Sequence, residues 1–244
     1  MERLEQRIYD EQGAHQALSR VRAAFNLLPR NVFVVHDNAP VIAHELDLPL
    51  ETVIEVFQTP HPVLFPDVPA AFERMSAAGS LPIVWTQGHL DQDKDFGFLQ
   101  SDQELSFQAL KIVRSGLHGH LIPFGQRLSQ LGLPHIVGGF NKCDPRIVLP
   151  VLENACEGGI ERVFAVDDLS DNLEQMGELC MSTGISYVPL LIDRKKKSRT
   201  ADIYSFDELT FVENTLYFLD LDRTQIDTDG MKQEMFARLA CCIE

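Results

Sequence analysis

Two aspartates, Asp220 and Asp222, stand one residue apart where the apolar run Leu216 to Leu219 ends, and the hydroxyl of Thr224 follows two residues on. Alternate residues of a strand share a face, so the spacing predicts two carboxylates projecting from one strand end into one small site. Two anions that close repel unless a cation or a proton lies between them. A divalent metal is therefore expected, and metal with carboxylate is equipment for handling phosphate.

Such a site needs elements to position it. Short apolar, β-branched runs read as buried parallel strands over Leu81 to Thr86, His135 to Gly139, Arg162 to Asp168, Ser186 to Ile192 and Leu216 to Asp222. Helical spacing fills the intervals: Pro69 to Ala78, Leu105 to Val113, Pro145 to Cys156 and Ser170 to Thr183, each followed closely by glycine. Alternating strands and helices predict an α/β fold, a Rossmann-like parallel sheet flanked by helices. Sites in such sheets lie beyond the carboxyl ends of the strands. Thr86, Asp167, Asp168, Asp220 and Asp222 all stand there. The flanks read differently. Glu5 to Phe25, with a possible break at Gly13, and Pro49 to Gln58 are helical patterns, and so is the tail from Asp229. Asn31 to Asp37 reads as either a strand or a helix entrance, and Thr59 to Pro62 as a linker. The expected division is a helical cap from residues 1–61, completed by 227–244, and an α/β core over 62–226.

Bulk properties narrow the function. Of 244 residues, 45% are hydrophobic, enough for a sizeable core, and the net charge is -15. That charge repels nucleic acid and anionic membranes, so neither is an expected partner. A small anionic substrate stays open, because a metal reverses the local sign. Five cysteines, with no C-x-x-C spacing, read as reduced thiols in a cytoplasmic protein. No apolar run reaches the roughly 18 residues of a membrane span, and the charged N-terminus does not read as a signal peptide.

Four pieces together resemble the haloacid-dehalogenase-like superfamily of phosphatases and phosphotransferases, over roughly Val63 to Met231. Asp220-Leu221-Asp222-Arg223-Thr224 resembles its D-x-D-x-T motif, with Arg223 in place of the more frequent glycine. Ile83 to Thr86 is similar to its second motif, a strand ending in Thr or Ser. Lys142-Cys143-Asp144-Pro145 is similar to K-P-D-P, with Cys143 for proline. Val163 to Asn172 resembles the fourth, an acidic pair followed by Asn. The order departs from the family: D-x-D-x-T comes last here instead of first. A circular permutation restores the ordinary order, since joining Glu244 to Met1 places the break inside a helical cap. The other reading is tandem, with Val32 to Asn38 a decayed first motif and the C-terminus a truncated second copy. Permutation is preferred. The tandem reading puts Val35 at the nucleophile position and leaves Leu216 to Asp222 as an unpaired strand outside the sheet that holds Thr86.

The resemblance implies a Mg²⁺-dependent phosphatase acting on a small phosphorylated substrate. Asp220 would be the nucleophile and Asp222 the acid/base, its backbone carbonyl a further metal ligand. Thr86 and Lys142 would hold the phosphoryl group, and Asp220, Asp167 and Asp168 would ligate Mg²⁺. A phosphomutase of the same superfamily and a catalytically silent binding or regulatory module are the alternatives; Arg223 and Cys143 favour the latter. Other features read as structural. His118-Gly119-His120 is expected to be an exposed loop, Gly138-Gly139 a tight turn, Arg194 to Arg199 a solvated loop, and Cys241-Cys242 packed on the tail helix.

Overall fold

The strand that carries Asp220 is the middle of the sheet. The computed structural model describes residues 2–28, 35–59, 62–88, 107–139 and 141–243. Among these, five strands form one parallel sheet: β1 (Leu81–Gln87), β2 (Ile136–Gly139), β3 (Arg162–Asp167), β4 (Ser186–Leu191) and β5 (Thr215–Asp220), in the spatial order β2-β1-β5-β3-β4. The protein is thus α/β, as the alternating pattern predicts. All six residues of β5 are buried, which is why it reads as a continuous apolar run with no alternation. Burying Leu216, Phe218 and Leu219 stabilises the fold by about 2 kcal/mol each. Strand β5 pairs with β1, which holds Thr86, over Leu81↔Leu216 to Trp85↔Asp220, and so lies inside the sheet rather than outside it.

The strands align their carboxyl ends. Trp85 lies opposite Asp220, and Val166 opposite Leu219, so Thr86, Asp167 and Asp220 reach the same edge. Helices α4 (Val68–Ala78), α5 (Phe107–Arg114), α6 (Leu117–Leu121), α7 (Gly125–Gln130), α8 (Pro145–Glu157) and α9 (Ser170–Thr183) flank this sheet. Helix α4 stops at Gly79, whose φ of 70° ends the helix in the left-handed region that glycine tolerates best.

Several expectations need correction. The segment around His118 and His120 is helical. Leu117, Leu121, Phe124 and Leu128 are buried at helical spacing, and that stripe outweighs Gly119. Gly138 and Gly139 are in β2, paired with Thr86 and Gln87, and are not a turn. A Cβ on Gly139 would lie 3.0 Å from Ile147 Cδ1, so the pair admits close packing of α8. Residues 105–106 of the expected Leu105 to Val113 helix lie outside the described residues, as do 31–34, 60–61 and the termini Met1 and Glu244.

The chain divides into two compact units, Pro62–Thr228 and a second made of Met1–His61 with Asp229–Glu244. The described elements of the second are helical: α1 (Glu2–Asn26), α2 (Val35–Leu46), α3 (Leu50–Gln58) and nearly all of α10 (Thr228–Ile243). Helix α1 runs through Gly13 without a break. Ala17, Val21 and Ala24 form its buried stripe, continued by Leu28 just past its end, and Phe25 packs at 5.8 Å from Phe57 and 4.6 Å from Phe236. Cys241 and Cys242 are exposed, contrary to expectation: they stand in the last turn of α10, beyond the buried Met231, Met235 and Leu239. No helix among the described residues is long and apolar enough to cross a membrane.

Candidate active site at the carboxyl edge of the sheet

A lysine sits at the centre of the acidic edge. Lys142, in the turn between β2 and α8, is 3% exposed and is not a surface lysine. Its Nζ lies 2.5 Å from Asp220 Oδ1 and also pairs with Asp167 Oδ2. Trp85 fixes it from below: the indole N–H donates to Lys142 O at 2.8 Å, and the ammonium lies 4.2 Å from the centre of the indole ring. Burial alone would lower the Lys142 pKa, but the charges of Asp220 and Asp167 outweigh it and raise the value above the ordinary one. Asp220 is raised well above its ordinary value. Burial is the main cause, helped by the charges of Asp167 and Asp222 and opposed by Lys142.

Asp167 is fully enclosed. It accepts from Leu169 N at 2.8 Å and from Asn172 Nδ2 at 3.1 Å and 3.2 Å, in addition to Lys142. Asn172 thereby earns its place after the acidic pair. Asp168 is partly exposed, and Arg223 Nη1 lies 3.4 Å from its Oδ2. Burial raises the Asp168 pKa, as does the charge of Asp167, while Arg223 and Lys142 pull it down. Oxygens of Asp167, Asp168 and Asp220 all lie within 4.8 Å of one another. That is a hard, anionic donor set of the kind Mg²⁺ takes, with Asp167 shared with Lys142.

Strand β5 ends at Asp220, and Asp222 lies two residues beyond it, near enough for its charge to help raise the Asp220 carboxyl. The Asp222 carboxylate is outside the three-carboxylate group and is held by Lys111 of α5, itself 4% exposed. Two neighbouring aspartates are thus served by two separate lysines. Arg223 has a φ of 59°, the left-handed conformation for which glycine is the usual residue. The Thr86 hydroxyl is buried and has no hydrogen-bond partner among the described residues, and neither has that of Thr224. Two unsatisfied hydroxyls in a polar edge are poised to donate to an incoming oxygen ligand.

The loop after Asp220 is clamped from three sides. Gln225, fully buried, donates from Nε2 to Leu219 O and Asp220 O, both at 3.0 Å. Phe65 N donates to Gln225 O at 3.0 Å. Arg194 donates to Thr224 O at 2.6 Å and 3.0 Å, and to Asp67 Oδ2 at 2.5 Å. The Arg194 guanidinium lies 4.5 Å from the centre of the Phe65 ring and 4.7 Å from that of Phe206. Arg194 therefore does not belong to the solvated run in which the sequence places it; Lys195 to Lys197 and Arg199 are exposed. Lys111, Gln225 and Arg194 are the residues that sequence reasoning missed. Lys111 carried one usable signal: it lies within the apolar pattern of its helix, between Leu110 and Ile112. Cys143, where a proline was expected, donates to Asn172 O at 3.6 Å, and burial first, with the charge of Asp167, pushes its thiol up to about 11. It is a packed, protonated thiol.

No protein-family model matches the chain, and no curated protein and no solved structure matches it either. The functional reading rests on the geometry above.

Proposed function

We propose that the chain is a Mg²⁺-dependent phosphohydrolase that cleaves a small phosphorylated metabolite through an aspartyl-phosphate on Asp220, and that it is a circularly permuted relative of the haloacid-dehalogenase-like enzymes. The observation that carries this reading is the convergence of Lys142, Asp167, Asp168 and Asp220 at adjacent strand ends. The strand order supports the permutation. Counting from β5 as the first strand, the sheet reads 3-2-1-4-5, a doubly wound order whose switch point lies beside β5. Ligands of such sheets bind at that crevice.

Asp220, Asp168 and Asp167, with the Asp222 carbonyl, would hold the ion. When bound, Mg²⁺ supplies charge neutralisation to the phosphoryl oxygens and the nucleophile. The chain's own groups carry the rest. A carboxylate oxygen of Asp220 bonds to phosphorus while the ester P–O bond breaks, and the leaving oxygen takes a proton from Asp222. Asp222 then takes a proton from water as the water's oxygen bonds to phosphorus, which frees Asp220. Thr86, Thr224 and Lys142 donate to the phosphoryl oxygens, and such transition states need mainly alignment and charge stabilisation. Free cysteines and a strongly acidic composition fit a cytoplasmic setting.

A catalytically silent binding module is the second reading, favoured by a specific observation. Lys142 and Arg223 pair with carboxylate oxygens of Asp167, Asp220 and Asp168 that an ion would need. A panel of phosphate esters including p-nitrophenyl phosphate, with and without Mg²⁺, separates the two. Turnover that requires Mg²⁺ and is lost by at least about a thousandfold in Asp220→Asn supports the enzyme. No turnover across the panel, with no metal-induced change in the emission of Trp85, the single tryptophan, supports the silent module.

A further inference from the structure

We propose that Lys111 is a positioning residue for Asp222, an inference that rests on the phosphohydrolase reading. Lys111 is 4% exposed, and a buried ammonium needs a counter-charge. It finds one in Asp222 Oδ1, 111 residues away in sequence. Asp222 needs the help. It lies in a turn whose next residue, Arg223, has a φ of 59°, and its side chain is 38% exposed, so the loop alone leaves the carboxylate's direction open. The contact to Asp222 Oδ1 ties the carboxylate to a helix that is itself held in place.

Lys111 is itself fixed. Helix α5 presents Gln108 and Lys111 three residues apart, on one face. Gln108 Nε2 donates to Gln87 O at 2.6 Å, at the end of the strand that carries Thr86. Gly88 leaves room for this: a Cβ there would lie 2.7 Å from Gln108 Nε2. Ala109, Leu110 and Ile112 bury the rest of the helix. A chain of contacts thus runs from the end of β1 through Gln108 and Lys111 to Asp222. It ties the acid/base carboxyl of Asp222 to the end of the strand that carries Thr86.

The chemistry makes the role separable from general stability. The step up to departure of the alcohol governs kcat/KM. An alkyl alkoxide must be protonated as the P–O bond breaks, whereas p-nitrophenolate leaves unprotonated. Misplacing Asp222 therefore penalises an alkyl phosphate selectively. The test measures kcat/KM of wild type, Lys111→Met, Lys111→Gln and Lys111→Arg with Mg²⁺ on glycerol phosphate and p-nitrophenyl phosphate. The expected result is a loss of about tenfold to a hundredfold on the alkyl ester in the Met and Gln variants. On the aryl ester the loss stays under about threefold, and Arg restores most of the alkyl activity. Lys111→Gln keeps N–H donors on a shorter, uncharged side chain, so the comparison survives if Lys111→Met does not fold. Equal losses on both esters, or an Arg variant no better than Met, overturn the positioning role while wild-type turnover upholds the phosphohydrolase. A wild type inactive on both esters overturns both.

Discussion

Lys142 Nζ and Asp220 Oδ1 meet at 2.5 Å although 78 residues separate them, and both are nearly inaccessible to solvent. The pair joins a loop to the central strand, and Asp167 closes the triangle. Removing the lysine leaves two buried carboxylates without their counter-charge. Lys142→Met is expected to cost about 3–5 kcal/mol in urea unfolding. Mg²⁺ should recover part of that loss, seen as a midpoint that rises with metal concentration in the variant more than in wild type.

Arg223 is expected to compete with the metal. It pairs with Asp168 and occupies a backbone conformation that glycine adopts without strain. Arg223→Gly removes both the competing cation and the strain. Its unfolding midpoint should stay near that of wild type, because the gain in backbone ease is offset by the greater entropy of glycine in the unfolded chain. Its apparent affinity for Mg²⁺, followed by Trp85 emission, should rise by about 1.5-fold to fivefold, the range of a lost half-exposed ion pair. An unchanged affinity would show that Arg223 does not oppose the ion.

The parts of this molecule legible in the sequence are those set by local pattern. The strands around Ile83, Val163 and Phe218 are short apolar runs between helical stretches, and the sheet follows from that alternation. Position in the sheet was legible only through the carboxylates: nothing in Leu216 to Leu219 says that the run is central, but an acidic pair at its tip requires partners on both sides. Asp222 lies two residues past the strand's end, so the contact that holds it, Lys111 from a distant helix, is beyond what local alternation can show. Lys111 and Arg194 could not be read because their meaning is tertiary. Each looks like an ordinary surface cation until its partner, Asp222 or Asp67, is brought to it from more than a hundred residues away.

The clamp on the loop after Asp220 gives the protein an acid-sensitive component of stability. Burial alone would raise the Asp67 carboxyl, but hydrogen bonds from Arg194 and Ser205, the charge of Arg194 and the N–H of Phe206 hold it below its ordinary value of 3.8. A lowered carboxyl contributes stability above its unfolded value and loses it as pH falls through the folded one. Asp67→Asn should therefore be about 3 kcal/mol less stable than wild type at pH 7. The gap should narrow steadily below about pH 4, as chemical denaturation at a series of pH values will show.

Gly88 is a second point at which the site can be disturbed from a distance. Its φ of 139° suits glycine, and a methyl there meets Gln108 at 2.7 Å. Gly88→Ala is expected to lose about 2 kcal/mol of stability from overpacking and backbone strain. Displacing Gln108 should also reproduce, in weaker form, the alkyl-selective loss expected of the Lys111 variants.

The central place of β5 has a consequence for biogenesis. A ribosome releases β1 to β4 before β5, so the nascent chain first holds two strand pairs, β2-β1 and β3-β4, with nothing between them. The facing edges of β1 and β3 stay unsatisfied until the middle strand emerges, and open edges of that kind recruit other chains. Sheet closure is thus deferred until β5 has been made. Until then the open edges of β1 and β3 are the places where this chain is most exposed to pairing with another.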